Sequence, residues 1–344
     1  MQVAVIGGGA FGRNHARVYH ELHKQGEPVR LAAIVDSDRA RADALAAQFG
    51  AKSFYSVQQL LELAKPQAAS VAVPTVHHLD VARALLKAGV DVLIEKPLAT
   101  SLHEADELIR LAHTAGRIAQ VGHLERFNPA VRAAIPLITR PMFFEVHRLS
   151  PFGPRALDVD VVLDLMIHDL DIVLSFVNSP VKELRAVGLP ILSDKVDIAN
   201  VRMEFESGCV ANFTASRVST ERVRKLRFFQ PRQYISLDYS RQDVLVITVE
   251  TQPTLKQPQI EQSIAAHAAA NRALPPQFAI AKPKTMQEEP LKGELQSFLD
   301  AVRRRTPPVV TLEDGRRALA VALEILASIR EHARRAGIGV RGAV

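Results

Sequence analysis

The fold is decided by Val3-Ala4-Val5-Ile6-Gly7-Gly8-Gly9-Ala10-Phe11-Gly12, where four small or branched apolar residues run into Gly7-x-Gly9-x-x-Gly12. A helix-forming segment follows through His23. Strand, glycine turn and helix in that order open a dinucleotide-binding crossover. Gly7 lets the chain turn sharply, Gly9 leaves bare backbone for a pyrophosphate, and Gly12 lets helix and strand pack closely. The helix start at Ala10 and Phe11 offers N–H groups and a positive dipole end to phosphate.

A glycine fingerprint alone is a weak signal, so its surroundings carry the reading. Leu31-Ala32-Ala33-Ile34-Val35 reads as a second strand ending in Asp36, 24 residues past Gly12 and close to where an acid meets the adenosine ribose. That carboxylate favours NAD by repelling a 2′-phosphate, while nearby Arg39 and Arg41 keep NADP as the alternative.

Further on, Arg39–Phe49 is helical by period and stops at Gly50, and Ser56 caps a helix ending before Pro66. Ala69–Val73 is a buried strand closed by Pro74-Thr75, and His78 opens a helix near the cofactor. Val90–Ile94 leads to Glu95-Lys96-Pro97; Ser101-x-x-Glu104 caps a helix ended by Gly116; Arg117–Val121 leads to Gly122-His123. Strands and helices alternating at this spacing give a doubly wound parallel sheet, with all strand C-terminal ends on one functional edge.

Beyond residue 122 the pattern changes. Phe143–His147 reads as a strand and Asp158–Val177 as a helix. Glu183–Val187, Ala199–Phe205, Val210–Ser216, Lys225–Phe229, Tyr234–Leu237 and Val244–Val249 then alternate like strands of a largely antiparallel sheet. Residues 251–290 read as a long loop or arm with a short helix at Glu261–Ala270, and two helices close the chain, Leu291–Arg305 and Leu312–Arg335. The expected division is 1–122 for the NAD(P)-binding domain and 123–344 for a substrate-binding α+β domain, whose last helices can pack back on the first.

The 344 residues suffice for two cores, and 47% apolar content suits a globular protein. No apolar run reaches the roughly 18 to 20 residues of a membrane span. Met1 leads straight into a strand, so no signal peptide is expected, and the single Cys209 suits a reducing cytoplasm. The net charge of +6 comes partly from scattered arginine pairs near the C-terminus and, without Trp, argues for solvated helix faces over nucleic acid.

Three groups carry the expected chemistry. Lys96, at a strand end beside the cofactor edge, can hydrogen-bond a substrate hydroxyl. Asp164 and His168 lie four apart on an apolar helix, so the carboxylate can orient an imidazole able to take a proton near neutral pH. Metal would need more ligands than neighbouring Asp169 and Asp171 supply, so none is expected. Arg148, Ser150 and Arg155 could meet a diphosphate or be ordinary loop charges.

Gly7-x-Gly9-x-x-Gly12-x-x-His15, Pro74-Thr75-x-x-His78, Glu95-Lys96-Pro97 and Asp164-x-x-x-His168 together resemble the glucose–fructose oxidoreductase/inositol dehydrogenase (Gfo/Idh/MocA) family over nearly the whole chain. The resemblance implies an NAD(P)-dependent oxidoreductase acting on sugar or cyclitol hydroxyls. It also implies a Rossmann domain, an open-faced C-terminal sheet that forms a homodimer or homotetramer, and a cis Lys96-Pro97 bond. It makes Lys96 and His168 the catalytic pair, with Asp164 contacting substrate or supporting His168. Gly122–Ala130 and Leu163–Asp171 look like the branch oxidising UDP-linked amino sugars, UDP-N-acetylglucosamine 3-dehydrogenases among them, with His123, Arg148 and Arg155 toward substrate. A dehydrogenase of free sugars or cyclitols is the runner-up, and a non-catalytic NAD/sugar sensor the rival from another class.

Overall fold

The computed structural model describes residues 1–153, 159–249 and 278–337. The chain falls into two units: Met1–Phe127 with Glu288–Glu324, and the described residues within 128–287 and 325–337. The first unit thus runs past residue 122 and takes back a stretch from near the chain's end.

In the first unit β1 (Gln2–Ile6), α1 (Ala10–Lys24), β2 (Arg30–Val35), α2 (Arg39–Phe49), β3 (Lys52–Phe54), α3 (Val57–Leu63), β4 (Ala68–Val71), α4 (His78–Lys87), β5 (Asp91–Glu95), α5 (Leu102–Ala115) and β6 (Ala119–Gly122) follow one another. The strands form one parallel sheet ordered β3-β2-β1-β4-β5-β6. Every position of β4 and β5 is buried, as expected of strands covered on both faces. The punctuation expected from sequence is in place. Ser56 and Ser101 accept the backbone N–H of Gln59 and Glu104, and Gly50 and Gly116 end α2 and α5 in the left-handed conformation. Each such N-cap contributes about 1 kcal/mol. The three-residue β3 is an addition to the expected strands.

The second unit holds α6 (Pro129–Ala134), β7 (Phe143–Leu149), a π-helical turn at Val162–Met166, α7 (Ile167–Phe176) and strands β8 (Val181–Leu189), β9 (Ile198–Phe205), β10 (Val210–Ser216), β11 (Val223–Gln230), β12 (Gln233–Asp238), β13 (Asp243–Val249) and β14 (Phe278–Ala281). They form an eight-stranded sheet ordered β14-β13-β12-β11-β7-β10-β9-β8, antiparallel except for the parallel β7–β10 pair. On its buried face Phe144, Phe228 and Phe176 of α7 meet with ring centroids 5.5 to 6.5 Å apart. The opposite face carries Phe143, Phe229 and Tyr234 in a row, with centroids 5.6 and 5.2 Å apart. The register continues this row to Ile247 and Ile280.

Two expectations need correction here. Residues 278–281 are a strand rather than loop, an edge strand that pairs with β13 and closes the sheet. The helix expected at 158–177 begins at Val161, with a wide π turn before the α-helical part. The short helix expected at 261–270 lies outside the described residues.

The chain ends in α8 (Pro290–Arg304) and α9 (Leu312–Ala336). Leu295, Phe298, Leu299 and Val302 of α8, spaced as one helix face, share a core with Val3, Val18, Tyr19, Leu22 and Leu93. Full burial of each such apolar side chain contributes about 1.5–3 kcal/mol, so α8 is structural to the first unit. Among the described residues no helix is long and apolar enough to cross a membrane.

Candidate active site

The order of the first sheet reverses between β1 and β4, which opens a crevice at the strand C-terminal ends. Gly7 turns there with φ +99°, and a Cβ on Gly12 would stand 1.7 Å from the Gly7 carbonyl oxygen. Any side chain at residue 12 would therefore push α1 off β1. A Cβ on Gly9 would meet no atom within 4 Å, so this glycine keeps clear the space beside exposed Ala10 and Phe11. Gly9 also opens α1 without a side-chain cap, leaving the first helical N–H groups for an anion.

Asp36, at the end of β2, ties this turn down. Its Oδ2 accepts the Gly8 N–H at 2.7 Å and lies 3.3 Å from Arg41 Nη1, while Oδ1 accepts the Asp38 N–H at 2.9 Å. The resulting cleft of about 740 Å³ is lined by Gly7, Gly9, Phe11, Asp36, Pro74 and His77 among others. That volume and the open glycine cradle fit a dinucleotide. Tyr55, just after β3, and Val57, opening α3, also line the cleft and carry no motif in the sequence.

His78, expected near the cofactor, is not among the residues that line this cleft. A 3₁₀ turn at Thr75–His77 precedes α4; His77 lines the cleft while His78 is buried. The His78 ring lies between carbonyls, Nδ1 at 3.1 and 3.2 Å from Pro97 and Leu98 and Nε2 at 3.0 Å from Val73. It packs between the loop after Lys96 and the end of β4, and in its neutral form its one N–H donates to one of the two sides. Burial pushes its pKa down, against the pull of these carbonyls.

Glu95, the last residue of β5, is bonded through both carboxylate oxygens. Its Oε1 accepts from His15 Nε2 at 2.8 Å and its Oε2 from the Lys96 backbone N–H at 3.2 Å. Burial alone would raise its pKa, but the hydrogen bond and charge of His15, with Lys96, hold it below the usual carboxylate range. Gly122 of β6 makes room for it, because a Cβ there would stand 3.1 Å from the Glu95 carboxylate. Lys96 itself is half-buried, the Lys96-Pro97 bond is cis, and His123 is buried just after β6. A third ionisable group, Glu294 of α8, has a carboxylate oxygen within 4.8 Å of both His15 and Glu95, a neighbour not legible from its helical pattern.

In the second unit Asp164 sits in the π turn and His168 in the first turn of α7. Their spacing is therefore not that of an uninterrupted α-helix. Both are half-buried, whereas Asp169 and Asp171 are fully buried. Val161 donates to the Val196 carbonyl at 2.9 Å, and Asp160 accepts the Val196 N–H at 2.9 Å, which anchors the segment's start. π turns recur at functional sites because they re-aim side chains without ending a helix.

Arg148 is 3% exposed and its charge is matched internally, which counts against a diphosphate contact. Nε and Nη2 reach the two oxygens of Asp169 at 2.6 and 2.9 Å, and the guanidinium lies over the Tyr239 ring at 5.2 Å. The signal was available: alternation on β7 puts Arg148 on the face of Phe144 and Val146. Ser150 follows β7, half-buried, and Arg155 lies outside the described residues.

The sequence profile of GFO/IDH/MocA oxidoreductases with an NAD-binding Rossmann fold matches residues 1–123, and that of the GFO/IDH/MocA C-terminal domain matches 139–233. A UDP-N-acetylglucosamine 3-dehydrogenase of Acidithiobacillus ferrooxidans is 33% identical over 96% of this chain and 97% of its own. A solved structure of that enzyme superposes with a TM-score of 0.83 over 96% of this chain and 98% of its own, at 32% identity. An inositol 2-dehydrogenase of Rubrobacter xylanophilus is 31% identical over 54% of this chain and 55% of its own. A myo-inositol 2-dehydrogenase of Thermotoga maritima is 26% identical over 96% and 97%. The chain belongs to the GFO/IDH/MocA family and is an NAD(P)-dependent dehydrogenase acting on CH–OH groups.

Proposed function

We propose that this dehydrogenase oxidises a secondary hydroxyl of a nucleotide-linked sugar, C3 of a UDP-linked N-acetylhexosamine, with NAD as oxidant. The observation that carries the substrate is the end-to-end similarity to an enzyme named for that reaction. Asp36 supports NAD, since a carboxylate at the end of β2 suits ribose hydroxyls and repels a 2′-phosphate.

Lys96 and His168 are the proposed catalytic pair, with Asp164 beside His168. His168 takes the hydroxyl proton, and the Lys96 ammonium hydrogen-bonds the same oxygen as negative charge grows on it. The carbon–oxygen double bond forms as the C–H electron pair leaves. NAD⁺, when bound, supplies the acceptor for that hydride. Glu95, hydrogen-bonded to the Lys96 backbone, and His78, fastened behind Pro97, fix the stretch from which Lys96 reaches out.

The aromatic row on the open sheet face supports self-association as a homodimer or homotetramer, which light scattering on the protein and on F229E checks. The substrate reading is tested by following NAD⁺ reduction with UDP-N-acetylglucosamine, free N-acetylglucosamine and myo-inositol. Turnover confined to the UDP-sugar is expected. Faster turnover of myo-inositol would shift the assignment to a cyclitol dehydrogenase, the reading favoured by the full-length Thermotoga relative.

A further inference from the structure

The three groups brought together under the Lys96 edge come from distant parts of the chain: His15 on α1, Glu95 ending β5 and Glu294 on α8. One atom from each lies within 4.8 Å of the others, and all three residues are buried. Their hydrogen bonding is unequal. Glu95 receives an N–H on each oxygen, the mark of an ionised carboxylate. Glu294 is 0% exposed, and neither of its oxygens has a hydrogen-bond partner among the described residues. Its helix is nevertheless held, since Gln120 Nε2 donates to the Glu294 backbone carbonyl at 3.3 Å.

Two buried carboxylates this close repel each other strongly, and Glu294 has no donor among the described residues to offset that repulsion. A proton on Glu294 removes the repulsion and turns an acceptor without donors into a donor. We propose that Glu294 is a positioning residue that works as a protonated acid, leaving a single negative charge, on Glu95, to hold the Lys96 backbone. This rests on the reading of Lys96 as catalytic. Burial first, and the Glu95 charge second, push the Glu294 pKa up. The groups facing it are His15 and Tyr19 of α1, Glu95 with Lys96 at the end of β5, and Gln120 of β6. The turn at Leu124–Phe127, packed on α8, carries Glu125 and Arg126.

Infrared difference spectra of the full-length protein against E294Q test the proposal directly. At neutral pH the wild type should show a protonated-carboxyl stretch that E294Q lacks; its absence would overturn the proposal. E294Q, an amide shaped like the neutral acid, should keep kcat within about threefold of wild type, a difference below 1 kcal/mol. It should also lose the part of the alkaline fall in kcat that comes from ionising Glu294. A kcat loss in E294Q beyond tenfold, or a stoichiometric metal ion that chelator strips from wild type and E294Q does not bind, would overturn it too. If E294Q does not fold, E294M serves as the spectral reference. Full turnover in K96A would sink the catalytic reading of Lys96 while leaving the infrared band; a missing band with K96A inactive would sink this proposal alone.

Discussion

The end of β5 and the first turn of α7 each present one proposed catalytic side chain, and they are held in different ways. Lys96 follows a strand buried at every position, its own N–H is taken by Glu95, and His78 fastens the loop behind it. His168 stands in the first turn of α7, directly after the π turn, and its sequence neighbour Asp169 is held in a buried ion pair with Arg148. The first arrangement spreads its support over many backbone bonds. The second draws on a buried ion pair, so it should be the more sensitive to loss of a single charge.

The sharpest break of this comparison is catalytic. K96A should lower kcat by about 10²–10³-fold through loss of alkoxide stabilisation. H168A should lower it by about 10²–10⁴-fold through loss of the base. Both should leave the unfolding midpoint in urea nearly unchanged, and wild-type turnover in either would remove that residue from the mechanism.

Next in size is support. R148A removes the guanidinium paired with buried Asp169, at a cost of about 3–5 kcal/mol in urea unfolding, whereas R148M/D169L should cost far less because both charges go together. A small loss in R148A would show that the second region is braced elsewhere.

The smallest effect concerns the first region alone. His78 has a folded pKa below its unfolded value of about 6.5. The unfolded ring then takes up a proton that the folded ring refuses, so the stability it contributes is present above about pH 6.5 and is lost as pH falls from there toward the folded pKa. The urea midpoint of wild type should therefore drop more steeply than that of H78Q between about pH 7 and 5. Parallel slopes would mean that His78 is not the titrating clamp.

Much of the first unit was legible because each strand was an apolar run stopped by Gly, Pro or Asp, and each helix carried a local cap. Lys52–Phe54 escaped because one buried residue, Phe54, makes no period, and Phe278–Ala281 because an edge strand beside prolines looks like loop. The π turn left no trace in the sequence, since Val161–Val173 is apolar on nearly every side and one extra residue per turn does not disturb the pattern. Gly7 to Gly12, Asp36 and Lys96 could be placed at the strand C-terminal edge because their neighbours in sequence explain them. Glu294 could not: on an amphipathic helix an acid reads as solvated, and only the long-range return of that helix places it in the interior.

That return bears on how the protein is made. The interior of the dinucleotide-binding half is unfinished until Leu295, Phe298, Leu299 and Val302 arrive, so a ribosome must extrude some three hundred residues before the opening half can close. Until then Val18, Tyr19 and Leu22 have Val3, Val5 and Leu31 to pack on but lack the helix that completes their core. The N-terminal half begins first and finishes late.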